Sequence, residues 1–167
     1  MFFRLVVIYL AVTLCKTCSP VPGWQPSTVE QQVQHAGAII YGKVDSVNQD
    51  QNKFSFNIHL VNAFFFKGCG FNYVRINGFT SSAACGLDPP NIGDNVIVFV
   101  CRDGYHWALN QINLHTGMVS ASRNNIMTVR RLTSGTKRCD GCTIRYSRCT
   151  KPSQFQQLDV ERLNLTQ

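Results

Sequence analysis

Eight cysteines are the residues of this chain with the clearest capacity for chemistry. Two pairs of them, Cys15/Cys18 and Cys139/Cys142, have the Cys-x-x-Cys spacing of zinc knuckles and of thioredoxin-like redox sites. Disulfides are the third possibility. The choice among the three depends on whether the chain enters an oxidising compartment. The remaining cysteines are Cys69, Cys85, Cys101 and Cys149.

The first residues of the chain predict export. Arg4 precedes an apolar run, residues 5–14, that is too short to span a bilayer and is typical of a secretory signal peptide. We therefore expect residues 1–14 to be removed and the protein to be secreted. Export favours disulfides over zinc knuckles, and a redox motif is disfavoured because no strand is predicted before Cys15 and no helix after Cys18.

Two cleavage sites are compatible with this segment. Cleavage before Cys15 places Leu14 at the −1 position, where signal peptidase favours a small residue, whereas cleavage after Thr13 places Ala11 at −3. In the first case the mature chain begins with Cys15, whose α-amine and carbonyl can chelate a metal ion while its sulfur is held in a disulfide. In the second case Leu14 covers the amine of Cys15, and this chelation is lost.

Composition and charge limit the class of protein. The chain has 167 residues, of which 44% are hydrophobic and 15% charged, as expected for one globular domain. Its formal charge is +7, and the stretch from Arg123 to Lys151 holds eight basic residues against one acidic residue, Asp140. Outside the cell we expect no nucleic-acid partner. A sulfated glycosaminoglycan or another anionic matrix is one explanation, and a solvated face that aids solubility is the other.

Hydrophobic periodicity predicts a mainly β protein. Five strands are expected, at residues 38–47, 54–60, 73–79, 96–101 and 105–109. In the second strand, the apolar residues Phe54, Phe56, Ile58 and Leu60 alternate with the polar residues Lys53, Ser55, Asn57 and His59, so we expect a half-buried strand with the apolar set on the buried face. This alternation slips at Val61–Asn62, where we expect a β-bulge. Hairpin connections and a bulge predict a five-stranded OB-type β-barrel, with a β-sandwich as the competing architecture.

Short helices should flank these strands. Residues 27–30 have the pattern of a capping box, and Gly37 is a stop signal. A second capping box at residues 153–156 predicts a C-terminal helix, whereas residues 116–137 have little pattern. We therefore divide the chain into a signal peptide at 1–14, one domain at 15–149 and a helical tail at 150–167.

Signatures of catalysis are scarce. Among the four histidines no pair has metal-binding spacing, and an ordinary strand position explains His59 and His106. No nucleophile elbow or phosphate-binding loop occurs. We therefore expect a protein that is not an enzyme and has no cofactor of its own. Asn164 begins an Asn-x-Thr glycosylation site.

Several blocks of the chain resemble the tissue inhibitors of metalloproteinases, the TIMP family. Cys15-Lys16-Thr17-Cys18-Ser19-Pro20 is similar to the family's Cys-x-Cys-x-Pro start, with one more residue between the cysteines. Residues 36–44 are similar to the family's first strand, residues 83–86 to its Cys-Gly element, and residues 96–104 to the strand and turn that follow. Residues 139–144 are similar to its Cys-x-x-Cys-Thr-Val block. The resemblance covers residues 15 to about 149.

This resemblance implies a netrin-like module, an OB-type barrel with flanking helices, that inhibits zinc metalloproteinases. It implies that Cys15 places its α-amine and carbonyl on the catalytic zinc of the protease, displacing the activated water, while Lys16 enters the specificity pocket. It also implies a Cys15–Cys85 disulfide beside this site, and Cys101 as the substitute partner of Cys18. The inhibitory wedge would comprise Cys15, Lys16, Thr17, Cys18, Ala83 and Ala84.

Two other functions remain open. The first is a netrin-type binding or structural module of the extracellular matrix, without inhibitory activity. It would use a basic patch formed by Arg130, Arg131, Lys137 and Arg138. The second is an enzyme, for which the sequence offers no catalytic constellation.

Overall fold

The computed structural model of the protein describes residues 25–51, 54–81, 86–112 and 116–136. Within these residues, strands dominate the middle of the chain and a helix stands near each end. The elements in chain order are α1 (Val29–His35), β1 (Ala38–Gln49), β2 (Ser55–Lys67), β3 (Val74–Thr80), β4 (Asn95–Asp103), β5 (His106–Leu109), β6 (Met118–Ser120) and α2 (Arg123–Thr133).

Five of the strands close into a barrel. The order of the sheet is β1-β2-β3-β5-β4, and β1 closes it by pairing with β4. The β3–β5 pair is parallel and the other four pairs are antiparallel. β6 pairs with residues 96–98 of β4, on the edge of β4 that β5 occupies further along the strand. The prediction of a five-stranded OB-type barrel is confirmed, and the alternative of a β-sandwich is wrong.

The interior of the barrel is filled by branched aliphatic side chains from alternate strand positions. A strand places successive side chains on opposite faces, so one residue in two points inward. Burying each such side chain contributes about 1.5–3 kcal/mol. The buried members include Ile40, Val44, Ile58, Leu60, Ile76, Val98 and Val100.

A second core lies between the outer face of β1 and β4 and the two helices. Ile39, Ile97 and Phe99 are fully buried there and pack with Val33 of α1 and Val129 of α2. β4 is therefore covered on both faces. This explains why its sequence is apolar without alternation, because a strand buried on both sides has no solvent face.

A β-bulge bends β2 where the alternation of the sequence slips. Tyr41 pairs with Phe64 and Lys43 pairs with Val61, so β2 contains one residue more than β1 between these pairs. Asn62 has a φ of 52°, the left-handed region that asparagine tolerates better than most residues. The predicted bulge at Val61–Asn62 is confirmed.

The capping box of α1 begins one residue later than predicted. The Thr28 hydroxyl accepts a hydrogen bond from the Gln31 backbone N–H at 3.3 Å, and the Gln31 side chain accepts one from the Thr28 N–H at 2.9 Å. The prediction used Ser27 and Glu30. Glutamine closes such a box as well as glutamate does, so the sequence allowed two registers.

Two buried amide side chains join α1 to the segment that leads into β6. Gln32 donates to the Ser27 carbonyl at 3.1 Å and accepts from the Gly117 N–H at 2.9 Å. Asn110 donates to the carbonyl of His35 at 2.9 Å. These bonds satisfy polar groups that would otherwise be costly to bury. We call this set of contacts the amide clasp.

Lys67, at the end of β2, holds the carboxyl end of α1. Its ammonium donates to the carbonyls of Ala36 and Val33, at 2.5 and 3.4 Å. A cation is favourable at this end of a helix dipole. Burial lowers the pKa of Lys67 below its usual value of 10.5, because desolvation disfavours the charged form.

The segment after residue 116 is more ordered than its sequence indicates. It forms β6 and α2, where only weak patterning was predicted. The Ser122 hydroxyl caps α2 by accepting from the Asn125 N–H at 3.3 Å. Among the described residues no helix is long and apolar enough to cross a membrane.

Candidate functional site

All six residues of the predicted wedge lie outside the described residues. The structure does describe the surface from which residues 82–85 depart and to which they return. It also describes three predicted site residues, Cys101, Arg130 and Arg131. The predictions outside the described residues concern Cys15, Lys16, Thr17, Cys18, Ala83, Ala84, Cys85, Lys137, Arg138 and Asn164.

The residues on either side of 82–85 form a closed stem. The Gly86 N–H donates to the Ser81 carbonyl at 3.3 Å, and the Thr80 N–H donates to the Leu87 carbonyl at 3.1 Å. These bonds hold the two ends of the connection side by side at the end of β3. We call Thr80, Ser81, Gly86 and Leu87 the loop platform.

Glycine is required at position 86 by close packing. A Cβ at this position would stand 1.4 Å from the Thr80 hydroxyl oxygen and 2.7 Å from the Thr80 carbonyl oxygen. Real carbon and oxygen atoms do not approach so closely. The stem can therefore close only because residue 86 has no side chain. This gives a physical reason for the glycine in the Cys85-Gly86 pair.

The connection between β1 and β2 joins the loop platform. The Ser81 N–H donates to the Phe54 carbonyl at 3.0 Å, and the Asp50 N–H donates to the Ser55 carbonyl at 2.8 Å. Two chain reversals are thus hydrogen-bonded to each other at one end of the barrel. The side chain of Phe54 is 53% exposed beside them.

The exposure of Phe54 corrects a prediction. The alternation placed Phe54 on the buried face and Asn57 on the polar face, yet Asn57 is only 3% exposed and donates to the Asp50 carboxylate at 2.8 Å. β2 begins after Phe54, and its register against β3 shifts between Phe56 and Asn57. Gly78 of β3, with a φ of 100°, lies at this irregularity and disturbs the simple alternation.

Cys101 lies inside the fold. It pairs with Ala108 across β4 and β5, is 1% exposed, and its sulfur lies 3.6 Å from the Ala108 carbonyl oxygen. Its predicted partner, Cys18, lies outside the described residues. The pairing of these two cysteines stays a prediction.

Arg130 and Arg131 lie in the last turn of α2 and are exposed. Residues 116–136 contain no acidic residue, and Arg123 adds a third positive charge at the start of the helix. Basic residues near a helix carboxyl end are also favourable for the helix itself, because they interact with its dipole. The position of these arginines therefore suits both a binding role and a stabilising role.

An aromatic and basic groove opens at the end of the barrel where β3 and β5 begin, and sequence reasoning missed it. Its volume is about 410 Å³, and it lies between residues 69–75 and residues 102–107. A usable signal was the sequence Arg102-Asp103-Gly104-Tyr105, in which an aromatic residue directly follows an Asp-Gly pair typical of a turn. We call this feature the aromatic groove, and its principal side chains are Phe71, Tyr73, Arg75, Arg102, Tyr105 and Trp107.

His59 lies beside the groove on the outer face of β2. Its Nδ1 is 2.6 Å from the Tyr73 hydroxyl and 3.1 Å from the Ser46 hydroxyl. These contacts orient the ring, which is the ordinary strand role predicted for it. In the described part of the chain, no three His, Cys, Asp or Glu side chains are grouped so as to bind a metal ion.

Comparison with known proteins adds no family to this description. No protein-family model matches the chain, and no curated protein matches it. The function is therefore argued from the barrel, the loop platform and the residues that the sequence places around it.

Proposed function

We propose that the protein is a secreted, TIMP-like inhibitor of zinc metalloproteinases. The observation that carries the proposal is the loop platform at one end of an OB-type barrel. It holds together, by backbone hydrogen bonds, the residues that flank 82–85, the segment to which Ala83 and Ala84 of the predicted wedge belong. The resemblance of the sequence to TIMPs assigns the inhibitory role to this segment and to Cys15–Cys18.

In this proposal the amino terminus supplies the chemistry. The α-amine and carbonyl of Cys15 bind the zinc of the target enzyme and displace the water that attacks the peptide bond. Lys16 enters the specificity pocket of that enzyme. The zinc belongs to the protease, so the inhibitor needs no cofactor of its own.

The loop platform would make the wedge rigid. A Cys15–Cys85 disulfide would join the amino terminus to the residue next to Gly86. That glycine is fixed by its hydrogen bond to Ser81 and by its contact with Thr80. An inhibitor that is ordered before binding loses little conformational entropy on docking, so more of the contact energy remains as affinity.

The amino-terminal residue of the secreted protein is the first test. We expect sequencing to find Cys15, and inhibition of a zinc metalloproteinase panel to be lost when the α-amine is acetylated. Cys15→Ser should lose inhibition as well. Arg130→Gln, which leaves the wedge unchanged, is the matched control. A mature terminus at another residue, or full inhibition by the acetylated protein, would refute chelation by Cys15.

Disulfide mapping is the second test. Peptide mapping without reduction should recover Cys15 joined to Cys85, and Cys18 joined to Cys101. The second pair would fasten the wedge to β4, inside the fold, because Cys101 is buried there. Recovery of Cys15 with a cysteine other than Cys85 would separate the amino terminus from the loop platform and contradict the proposed wedge.

Anionic matrix binding is a second candidate function, favoured by the exposed arginines of α2. Arg130 and Arg131 lie on consecutive positions of a helix that has no acidic residue. We expect the double variant Arg130→Gln/Arg131→Gln to elute from heparin at lower salt, because each arginine that is removed takes away an electrostatic contact with a sulfate group. Arg75→Gln is the control with a charge removed elsewhere. Equal elution of both variants would contradict a binding role for α2.

A further inference from the structure

We propose that the aromatic groove binds an acidic segment of a protein partner, one in which a carboxylate stands next to an apolar side chain. This inference is independent of protease inhibition. It depends on the side chains at the groove, the charge they carry and the distance of the groove from the loop platform.

The walls of the groove carry three aromatic side chains that are largely exposed to solvent. Tyr105 is 94% exposed and Phe71 is 86% exposed, and Tyr73 lies beside them at 53%. Large rings of this kind contribute strongly to binding when a partner covers them, and tyrosine and tryptophan are enriched in the energetic centres of interfaces. The groove thus offers the apolar half of a recognition site.

Arg102 offers the polar half. Its guanidinium lies 4.0 Å from the centre of the Trp107 ring, and it donates to the Tyr105 carbonyl at 2.9 Å. These two contacts hold the side chain in one orientation on a nearly buried ring. A guanidinium has five N–H donors in a planar fork that matches a carboxylate, and prior ordering lowers the entropy lost on binding.

The charge of the groove favours an acidic ligand. Its ionisable side chains on the described surface are Arg75, Arg102 and His106, besides the hydroxyl and thiol groups. Of the nearby acids, Asp50 is engaged by Arg75 at 3.7 Å, and Asp103 belongs to the turn next to the groove. None of the described residues that line the groove is an Asp or a Glu, so the lining itself complements a negatively charged group.

A peptide fits this arrangement better than a sulfated polysaccharide does. A polysaccharide presents closely spaced charges along its length and calls for a row of cations, such as the arginines of α2. The groove instead sets one oriented guanidinium, that of Arg102, among exposed rings. That combination suits a single carboxylate flanked by an apolar side chain.

The groove and the loop platform lie at different ends of β3. Ile76 of β3 pairs in parallel with Trp107 of β5, so the groove stands near the beginning of both strands. The loop platform follows the end of β3. The seven residues of β3 span roughly 20 Å. A protease at the platform and an acidic segment in the groove would occupy separate surfaces.

The test is an NMR titration of the ¹⁵N-labelled secreted protein with two capped hexapeptides. The acidic probe is acetyl-Glu-Asp-Phe-Glu-Asp-Leu-amide, and the control replaces every acid by its amide. We expect saturable shifts of the Trp107 indole N–H and of the Arg102 and Tyr105 signals, with at least about tenfold weaker binding of the control, as charged hydrogen bonds predict. Equal binding of both peptides, or no shift with either, would overturn the proposal.

Two variants test the residues themselves. Arg102→Gln should weaken the acidic peptide about tenfold, and Phe71→Ser, at a position too exposed to affect folding, should weaken it severalfold. Lys43→Gln removes one exposed positive charge outside the groove, so it is the control and should bind as the unaltered protein does. If a heparin tetrasaccharide shifts the groove signals more than the acidic peptide does, the groove is a polysaccharide site and the proposal is wrong. Unchanged binding by Phe71→Ser would also contradict it.

Discussion

The two ends of the barrel are formed by different kinds of contact. The loop platform is made by backbone hydrogen bonds between Thr80 and Leu87 and between Ser81 and Gly86, and its key residue has no side chain. The aromatic groove is made almost entirely by side chains, with Arg102 stacked on the ring of Trp107. One surface is fixed by the path of the chain and the other by the residues placed on it.

This difference predicts how each surface responds to substitution. Most changes on the platform should leave its shape intact, because backbone groups form its bonds. A change at Gly86 is the exception. In the groove, substitution of an exposed ring should weaken binding without affecting the fold, whereas substitution of the buried Trp107 should affect both. The predictions below test this contrast, beginning with the largest expected effect.

Trp107→Ala should lower the free energy of unfolding by about 3–5 kcal/mol, since a nearly buried aromatic ring leaves a cavity. It also removes the surface under Arg102 and the contact with Phe65. Urea unfolding measures the loss, and Trp107→Phe should recover part of it. A loss below about 1 kcal/mol for Trp107→Ala would show that this ring is not part of the core.

Gly86→Ala should lower the free energy of unfolding by about 1–3 kcal/mol, because the added methyl group collides with Thr80. Inhibition of the target protease should weaken in parallel, while peptide binding in the groove stays unchanged. Gly135→Ala is the matched control, because a Cβ there meets no atom within 4 Å. If both glycine variants unfold at the same urea concentration, the close approach at residue 86 does not constrain the platform.

Arg75→Gln should lower the free energy of unfolding by about 0–1 kcal/mol, because the ion pair between Arg75 and Asp50 is solvent-exposed. This pair is of interest because Arg75 lines the groove, whereas Asp50 begins the turn beside the platform. A double-mutant cycle with Asp50→Asn measures the coupling, and the coupling should decrease as salt is raised. A coupling that persists at high salt would mean that Arg75 and Asp50 are coupled by more than the attraction between their charges.

Lys67 belongs to neither surface and gives the smallest effect. Its pKa is lowered on folding, so between that lowered value and 10.5 the unfolded chain binds more protons than the folded one. The free energy of unfolding should therefore rise as pH increases through this window, whereas the cost of desolvation is fully present below the lowered pKa. Urea unfolding across this range should show a smaller rise for Lys67→Met than for the unaltered protein. Lys43→Met, at an exposed position, is the control and should keep the rise.

The barrel could be predicted because its signals are local. The alternation of β2 and the continuous apolar run of β4 each indicate a strand, and the slip at Asn62 indicates a bulge within one segment. The register of α1 could not be fixed, because Ser27/Glu30 and Thr28/Gln31 are both acceptable capping boxes. The exposure of Phe54 depended on an irregularity in β3, a strand that follows it by twenty residues or so.

The functional surfaces were harder to predict from the sequence than the barrel was. α2 was missed because Arg123–Thr133 contains two asparagines, two threonines and a valine, which favour helix weakly. The groove was missed because its two walls come from separate segments and have no common periodicity. Gly86 was singled out by its block, but the reason for it, the contact with Thr80, requires the folded chain.

The amide clasp has a consequence for the order in which the chain folds. Gln32 and Gly117 are 85 positions apart, and His35 and Asn110 are 75 apart. During synthesis α1 emerges first, yet the groups that satisfy its buried amide emerge only after the whole barrel. Contacts of such long sequence separation form late, since the intervening loop must close first. The first described helix in the chain is thus fixed in place only after the five-stranded barrel has formed.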